Sequence, residues 1–240
     1  MGIYRIADRV FELRCHYGYT ERLCVGYAAV CESPDYILEA SESEIMAEAV
    51  DDAAKFPPPY LESLALYRKI AESLINDDCF LFHAAVLEFD GKAYAFTAKS
   101  GTGKTTHISL WEKVYGDRVR VINGDKPLIR RKTADGSPLF IAYGTPWCGK
   151  EHKNTNTSAQ LAGICLIERA ETNSVSLMEQ NAAEALFPQI YIKKDLKYMQ
   201  KMLGLLDSLV GTVPVYRLRC NMEDEAAKIA CRALTGNENN

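Results

Sequence analysis

Residues 98–106, AKSGTGKTT, constrain this chain more than any other stretch. They follow the apolar run Tyr94, Ala95, Phe96 and Thr97 and precede a helical pattern that begins near Lys104, so a strand hands the chain to a helix through a glycine-containing loop. The pattern GxxxxGK[ST] is met at Gly103, Lys104 and Thr105, with Ala98 where the first glycine usually stands. Backbone N–H groups around Gly101 and Gly103 can turn inward at a helix N-terminus, where the dipole also favours negative charge. The stretch therefore reads as a phosphate-binding loop of the Walker A type. Its nucleotide ligands are Ser100, Gly101, Thr102, Gly103, Lys104, Thr105 and Thr106, with Lys104 reaching the β and γ phosphates and Thr105 ligating Mg²⁺. The bland alternative is a merely Gly-rich turn.

The rest of the composition limits what surrounds that loop. At 240 residues, 48% apolar and 25% charged, the chain has the size and make-up of one large globular domain or one and a half small ones. Charges interrupt the N-terminal stretch MGIYRIADRVFEL, no run approaches the ~18 apolar residues of a membrane helix, and Ile6 stands where a myristoylation signal needs Ser or Thr. A cytoplasmic protein without a membrane partner is expected. Eight cysteines occur without a CxxC pair and the four histidines fall at no zinc-finger spacing, so reduced thiols are expected. A formal net charge of −4 argues against a nucleic-acid partner. Arg118, Arg120, Lys126, Arg130, Arg131 and Lys132 nonetheless cluster, as a solvated strand pair with the alternative that one or two members face a phosphate-rich site.

Taken in order, residues 3–40 read as strands: YRIADRVFELRC, RLCVGYAAVCE and DYILEAS, with a turn at Ser33, Pro34 and Asp35. Residues 41–55 are an acidic helix or loop containing Glu42, Glu44, Glu48, Asp51 and Asp52. Past FPPP, the spacing of Tyr60, Leu64, Tyr67, Ala71 and Leu74 predicts an amphipathic helix that ends at Asn76, Asp77 and Asp78. Residues 1–78 form a strand-rich lobe with that helix, or the opening part of one domain, and residues 79–240 the nucleotide-binding domain.

FLFHAAVLEF reads as a strand, Asp90-Gly91 as a hairpin turn, and KAYAFTA as the strand that delivers the chain to the loop. An antiparallel partner thus precedes the loop strand, unlike a doubly wound nucleotide hydrolase. His83 lies in that partner, where alternation turns it away from Phe82 and Ala84; it is either a structural histidine or a site residue. A helix runs from Lys104 to about Tyr115 and stops at Gly116. RVRVINGDKPLIRR follows as a strand whose end presents Asp125, where a nucleotide enzyme places a second magnesium anchor, or as an Asn-Gly-Asp turn. Asp135-Gly136 makes a further hairpin into PLFIAYG. In the polar loop GTPWCGKEHKNTN, Lys150, and with less weight Lys153, are candidates to approach a γ phosphate or an acceptor, against a solvent-exposed lysine. LAGICLIE is a buried strand, NAAEALFPQ and 196–209 are helices, PVYRLR a last strand, EDEAAKIACRAL a closing helix and TGNENN a frayed tail.

The stretch HAAVLEFDGKAYAFTAKSGTGKTTH, a histidine strand, a turn, a second strand and then the loop, resembles the C-terminal kinase domain of HPr kinase/phosphorylase and, more distantly, the nucleotide-binding part of phosphoenolpyruvate carboxykinase. The likeness covers about 80–130, and GTPWCGK resembles small HPr-kinase-like proteins of Gram-positive bacteria. It implies an α/β fold of mixed, largely antiparallel sheets with the phosphate loop between strand and helix and helices packed outside. It also implies that His83 lies near the metal or the transferred phosphoryl group, and that Asp125 is the metal-binding second acid of a paired-acid motif whose first acid is here Gly124. The chain is less than half a carboxykinase in length, so decarboxylation is not implied. The expectation is a Mg²⁺- and ATP-dependent kinase acting on a hydroxyl, a serine of a small protein or peptide, with His83, Lys104, Asp125 and Lys150 as catalytic residues and Thr105 and Asp125 on the metal. The alternative is a non-catalytic ATP-binding regulatory or maturation-partner protein; a homo-oligomer is left open.

Overall fold

The computed structural model describes residues 1–49 and 56–237. Asp51 and Asp52 of the expected acidic segment, and residues 238–240 of the expected tail, lie outside the described residues. The chain divides into two compact units, Met1–Asp77 and Asp78–Asn240.

In the first unit, β1 (Gly2–Ile6) and β2 (Arg9–Arg14) form an antiparallel hairpin, and β3 (Tyr36–Glu39) lies parallel to β2. YRIADRVFELRC is thus two strands, not one: Ala7 and Asp8 take φ values of 48° and 62°, a two-residue reversal that matches strand twist. The expected strand RLCVGYAAVCE is also corrected. Its beginning belongs to helix α1 (Gly18–Leu23), and a 3₁₀ turn, Val25–Tyr27, follows. Two tertiary features override the β-propensity of Val25 and Tyr27. Thr20, Cys24 and Tyr27 recur at helical spacing and are all buried. The buried Glu62 carboxylate accepts the His16 and Tyr17 backbone N–H groups at 2.6 and 3.2 Å, pinning the chain where the helix starts. Helix α2 (Glu42–Ala47) opens with a Ser41–Glu44 capping box, and α3 (Pro58–Leu74) starts with proline at its first position.

The second unit is built on a nine-stranded sheet. Its strands are β4 (Cys79–Leu81), β5 (Ala84–Phe89), β6 (Lys92–Thr97), β7 (Val119–Asn123), β8 (Leu128–Ala134), β9 (Ser137–Tyr143), β10 (Ser158–Arg169), β11 (Ser174–Leu177) and β12 (Val215–Cys220). The order is β4-β8-β9-β10-β6-β5-β7, with β12 also paired to β10 and β11 to β12. Only β6, β10 and β12 run parallel; every other pairing is antiparallel. This is the mixed, largely antiparallel α/β arrangement expected. Helices α4 (Lys104–Tyr115) and α7 (Asp224–Thr235) pack together over Phe89, Tyr94 and Phe96, with Trp111 of α4 in the same core, while α5 (Ala182–Leu186) and α6 (Leu196–Thr212) follow β11.

Two strand assignments change in this unit. FLFHAAVLEF is broken at Phe82 and His83: β4 pairs with β8, whereas β5 pairs with β6 and β7. His83 therefore sits in the gap rather than on an alternating strand face. RVRVINGDKPLIRR is likewise two strands, β7 and β8, with Asp125 in the bend between them. Among the described residues no helix is long and apolar enough to cross a membrane, and all eight cysteines are free.

Candidate functional site

Residues 98–103 carry the chain from β6 into α4 at the C-terminal edge of the parallel strands. Gly101 has φ 77° and Gly103 φ 129°, backbone states that side-chain-bearing residues rarely adopt, so the loop's curvature requires glycine at both points. No side chain caps the start of α4, which leaves first-turn N–H groups facing out of the helix end for an anion. From behind, Arg169 at the end of β10 donates to the carbonyls of Thr102 (2.8 Å) and Gly101, pinning the loop onto the neighbouring strand.

Lys104 turns back from the helix under the loop and is only 8% exposed. Its Nζ lies 2.9 Å from Nε2 of His83, and that same Nε2 lies 3.3 Å from Oδ1 of Asp125. Oδ2 of Asp125 accepts from Lys126 Nζ at 2.8 Å. His83 is held at three points. Its N–H donates to the Gln189 carbonyl (2.7 Å), its carbonyl accepts from Thr97 Oγ1 (2.8 Å), and its Nδ1 faces Gln189 Oε1 (3.0 Å). With the amide so oriented, Nδ1 carries the ring proton and Nε2 is left as the acceptor for Lys104.

Asp125 is aimed by buried polar groups of the end of β7 and of the loop after β9. Oδ1 of Asn123 accepts the N–H groups of Asp125 (2.9 Å) and Lys126 (2.7 Å), forming a side-chain-closed turn. Asn123 Nδ2 in turn donates to Thr145 and Trp147, and Thr145 Oγ1 lies 2.8 Å from the Lys126 carbonyl. Asn123 and Thr145 are fully buried, so the GTPW segment is a scaffold for the bend. A Cβ at Gly149 would come within 3.1 Å of Asp125 Cβ, so the loop passes directly against the carboxylate.

Burial alone would raise the Asp125 carboxyl, but the adjoining His83 ring and the Lys126 ammonium outweigh it and hold the group well below the usual carboxylate range. It is a carboxylate at neutral pH. Burial pushes the Lys104 ammonium below its ordinary value, opposed by Asp125 and assisted by Lys126. Two cations around one carboxylate leave a surplus of positive charge, the balance a polyphosphate would neutralise.

Thr105 and Asp125 supply hard oxygen ligands of the kind magnesium takes. Among the described residues no group of three or more His, Cys, Asp and Glu side chains converges to hold a metal, so such an ion would complete its shell with phosphate oxygens and water. The chemistry of the donor set fits. Lys150 is exposed and stands outside the hydrogen-bonded cluster, although its neighbour Gly149 abuts Asp125. Lys153 pairs with Glu112 of α4.

On the other flank of the loop lies a mostly apolar cavity of about 400 Å³, walled by Thr102, Gly103, Thr106, Leu110, Ile167 and Met222, with His107, Arg169 and Cys220 among its other lining residues. It opens at the C-terminal ends of parallel β10 and β12, the edge where α/β proteins bind ligands.

Lys126, Gln189, Arg169 and Asn123 are contributors that sequence reasoning did not single out. The basic cluster that contains Lys126 was visible, and Arg118, Arg120 and Arg131 of that cluster instead pair with Asp90, Glu88 and Asp78. Gln189, 106 positions from His83, carried no local signal.

No family model matches the chain, and no curated protein matches it. Among solved structures, the Hpr(Ser) kinase/phosphatase from Coxiella burnetii is similar, at 8% identity and a TM-score of 0.34, over 65% of this chain and 97% of that one.

Proposed function

We propose that the protein is a Mg²⁺- and ATP-dependent kinase that transfers the γ-phosphoryl group to a hydroxyl, a serine of a small protein or peptide. The observation that carries this reading is the convergence on His83 Nε2 of the Lys104 ammonium at 2.9 Å and the Asp125 carboxylate at 3.3 Å. Phosphoryl transfer asks mainly for positioning and charge neutralisation, and then for a group that accepts the hydroxyl proton.

The chain has a part for each task. The loop amides and Lys104 hold the phosphates. Thr105 and Asp125 hold magnesium, which when bound neutralises charge on the phosphate oxygens. Nε2 of His83 has one lone pair, occupied by Lys104 in the geometry described. When phosphate draws the ammonium away, Nε2 is free to take the acceptor's proton, and Asp125 at 3.3 Å steadies the imidazolium. The serine acceptor follows from the sequence likeness carried by HAAVLEFDGKAYAFTAKSGTGKTTH. Labelling of candidate serine peptides from γ-labelled ATP should vanish in Lys104→Ala while circular dichroism is unchanged; undiminished labelling would overturn the proposal.

One observation favours the second reading, an ATP-binding protein without transfer. A Cβ at Gly124 would meet the Cys148 carbonyl at 3.0 Å and the Lys153 carbonyl at 3.3 Å. The loop has closed over the place of a first acid. Tight Mg-ATP binding by calorimetry, with neither γ-phosphate release nor transfer, would establish that reading instead.

A further inference from the structure

We propose that the strap 189–197, which leads from His83 to α6, is a docking surface for a peptide segment rich in Asp and Glu, the stretch that flanks the reacting hydroxyl of the acceptor. That the docked peptide is the acceptor rests on the kinase reading.

The strap is tied to the transfer site by its first residues. Gln189 closes the 3₁₀ turn Phe187–Gln189 and is 7% exposed, with its carbonyl on the His83 N–H and its Oε1 facing His83 Nδ1. Ile190 then bridges Phe82 in antiparallel sense, and the Tyr191 N–H donates to the Leu81 carbonyl at 3.2 Å. The chain thus leaves His83 alongside 81–83 and runs on to Asp195, which caps α6 by accepting the Tyr198 N–H at 2.8 Å. Lys193 is four residues from Gln189, a span of at most ~14 Å. An extended peptide with its hydroxyl at His83 Nε2 therefore lays residues about three to five positions away beside the lysines of the strap.

The second half of the strap is basic and exposed, through Lys193, Lys194 and Lys197. One turn further along α6, Lys201 shares Asp78 with Arg131 of β8, at 2.5 and 2.8 Å. Five basic side chains along this edge are set against Asp78, which two of them share, and Asp195, which is engaged in the cap. On a chain with a formal net charge of −4 this edge stands out as electropositive. Such an edge steers and registers an acidic segment and repels a lysine-rich one. An anionic membrane or a polynucleotide would meet the same lysines, but neither has a part that must enter the His83 gap. A serine peptide has, and the segment that holds the imidazole is the segment that carries the cations.

Fluorescence anisotropy on the full chain, with Mg-tripolyphosphate present, compares labelled serine peptides whose flanks are runs of Glu, of Gln or of Lys. Wild type should bind the Glu peptide at least about tenfold more tightly than the Gln peptide at about 0.05 M salt, and the preference should shrink at about 0.3 M. The combined change Lys193→Glu, Lys194→Glu and Lys197→Glu should invert the order in favour of the Lys peptide while the Kd for Mg-tripolyphosphate stays as in wild type. Lys194→Gln with Lys197→Gln should weaken the preference in the same direction, and it serves where the triple variant does not fold. Equal affinity for the Glu and Gln peptides, a preference that both variants leave in place, or binding of phosphatidylserine vesicles or single-stranded DNA without a preference among the peptides overturns the docking surface and leaves the kinase reading standing. A Glu-peptide preference that inverts as expected, with no labelling of the bound serine from γ-labelled ATP, keeps the surface and overturns the kinase reading.

Discussion

Lys104 Nζ and His83 Nε2 stand 2.9 Å apart, so the ammonium at the start of α4 donates to the one lone pair of the imidazole in the β4–β5 gap. Asp125 waits 3.3 Å away on that nitrogen. The three groups form a competition, and whichever ligand attracts Lys104 decides whether His83 is occupied or free. His83→Ala should therefore lower single-turnover transfer from ATP by about 10²–10⁴-fold, the range of a lost general base, while the Kd for Mg-ATP moves only a few-fold. A loss confined to Kd would assign His83 to binding rather than to proton transfer.

Arg169 holds the loop from the opposite side through the carbonyls of Gly101 and Thr102. Its two donors fork onto two successive carbonyls, which a lysine ammonium cannot reproduce. Both Arg169→Ala and Arg169→Lys should raise the Kd for Mg-tripolyphosphate by about tenfold, with unfolding midpoints close to wild type because the guanidinium is exposed. Rescue by lysine would show that charge alone, not the fork, orders the loop.

Gly124 stands where the likeness to the HPr kinases would place an acid. Restoring it as Gly124→Asp should not raise activity. The new Cβ meets two carbonyl oxygens, of Cys148 at 3.0 Å and Lys153 at 3.3 Å, and the 148–153 segment must retreat from Asp125 to admit it. The expected outcome is a loss of about 1–3 kcal/mol in urea unfolding together with weaker Mg-ATP binding. A stable variant with faster transfer would mean that the loop yields easily.

The parts of this arrangement that were legible in the sequence are those with local causes. Helix α4 was readable from Lys104 to Tyr115 because Gly103, the apolar spacing of Ile108 and Trp111, and Gly116 all act within one or two turns. The Asp90-Gly91 hairpin was readable for the same reason. The β4–β5 break at His83 was not, since it depends on β4 leaving for β8 and on Gln189 arriving from a distant 3₁₀ turn to satisfy the His83 N–H. Likewise α1 was hidden because its start is held by Glu62, 45 and 46 positions away. β11, short and largely exposed, has too little apolar alternation to announce itself. Lys150 illustrates the limit of motif reading. A polar loop beside rigid strands was recognisable, but which of its side chains points at the site is decided by the buried Asn123–Thr145 contacts beneath it.

His107 supplies the last test. Burial pushes its imidazole down to about 3, so the folded state resists a proton that the unfolded chain accepts near 6.5. Because the folded value is the lower one, the unfolded state binds more protons between these limits. The associated stability is complete above pH 6.5 and is lost as pH falls toward 3. Between pH 7 and pH 5 the wild-type unfolding free energy should drop by about 2 kcal/mol from this group alone. That window lies above the range in which Asp125, whose carboxyl is also held low, begins to lose its own contribution. Urea unfolding of wild type and His107→Gln at the two pH values separates the effects, because only the difference in slope reports His107. Parallel pH dependences in the two proteins would show that the imidazole is protonated in the fold, and with it that Nε2 does not accept from Trp111.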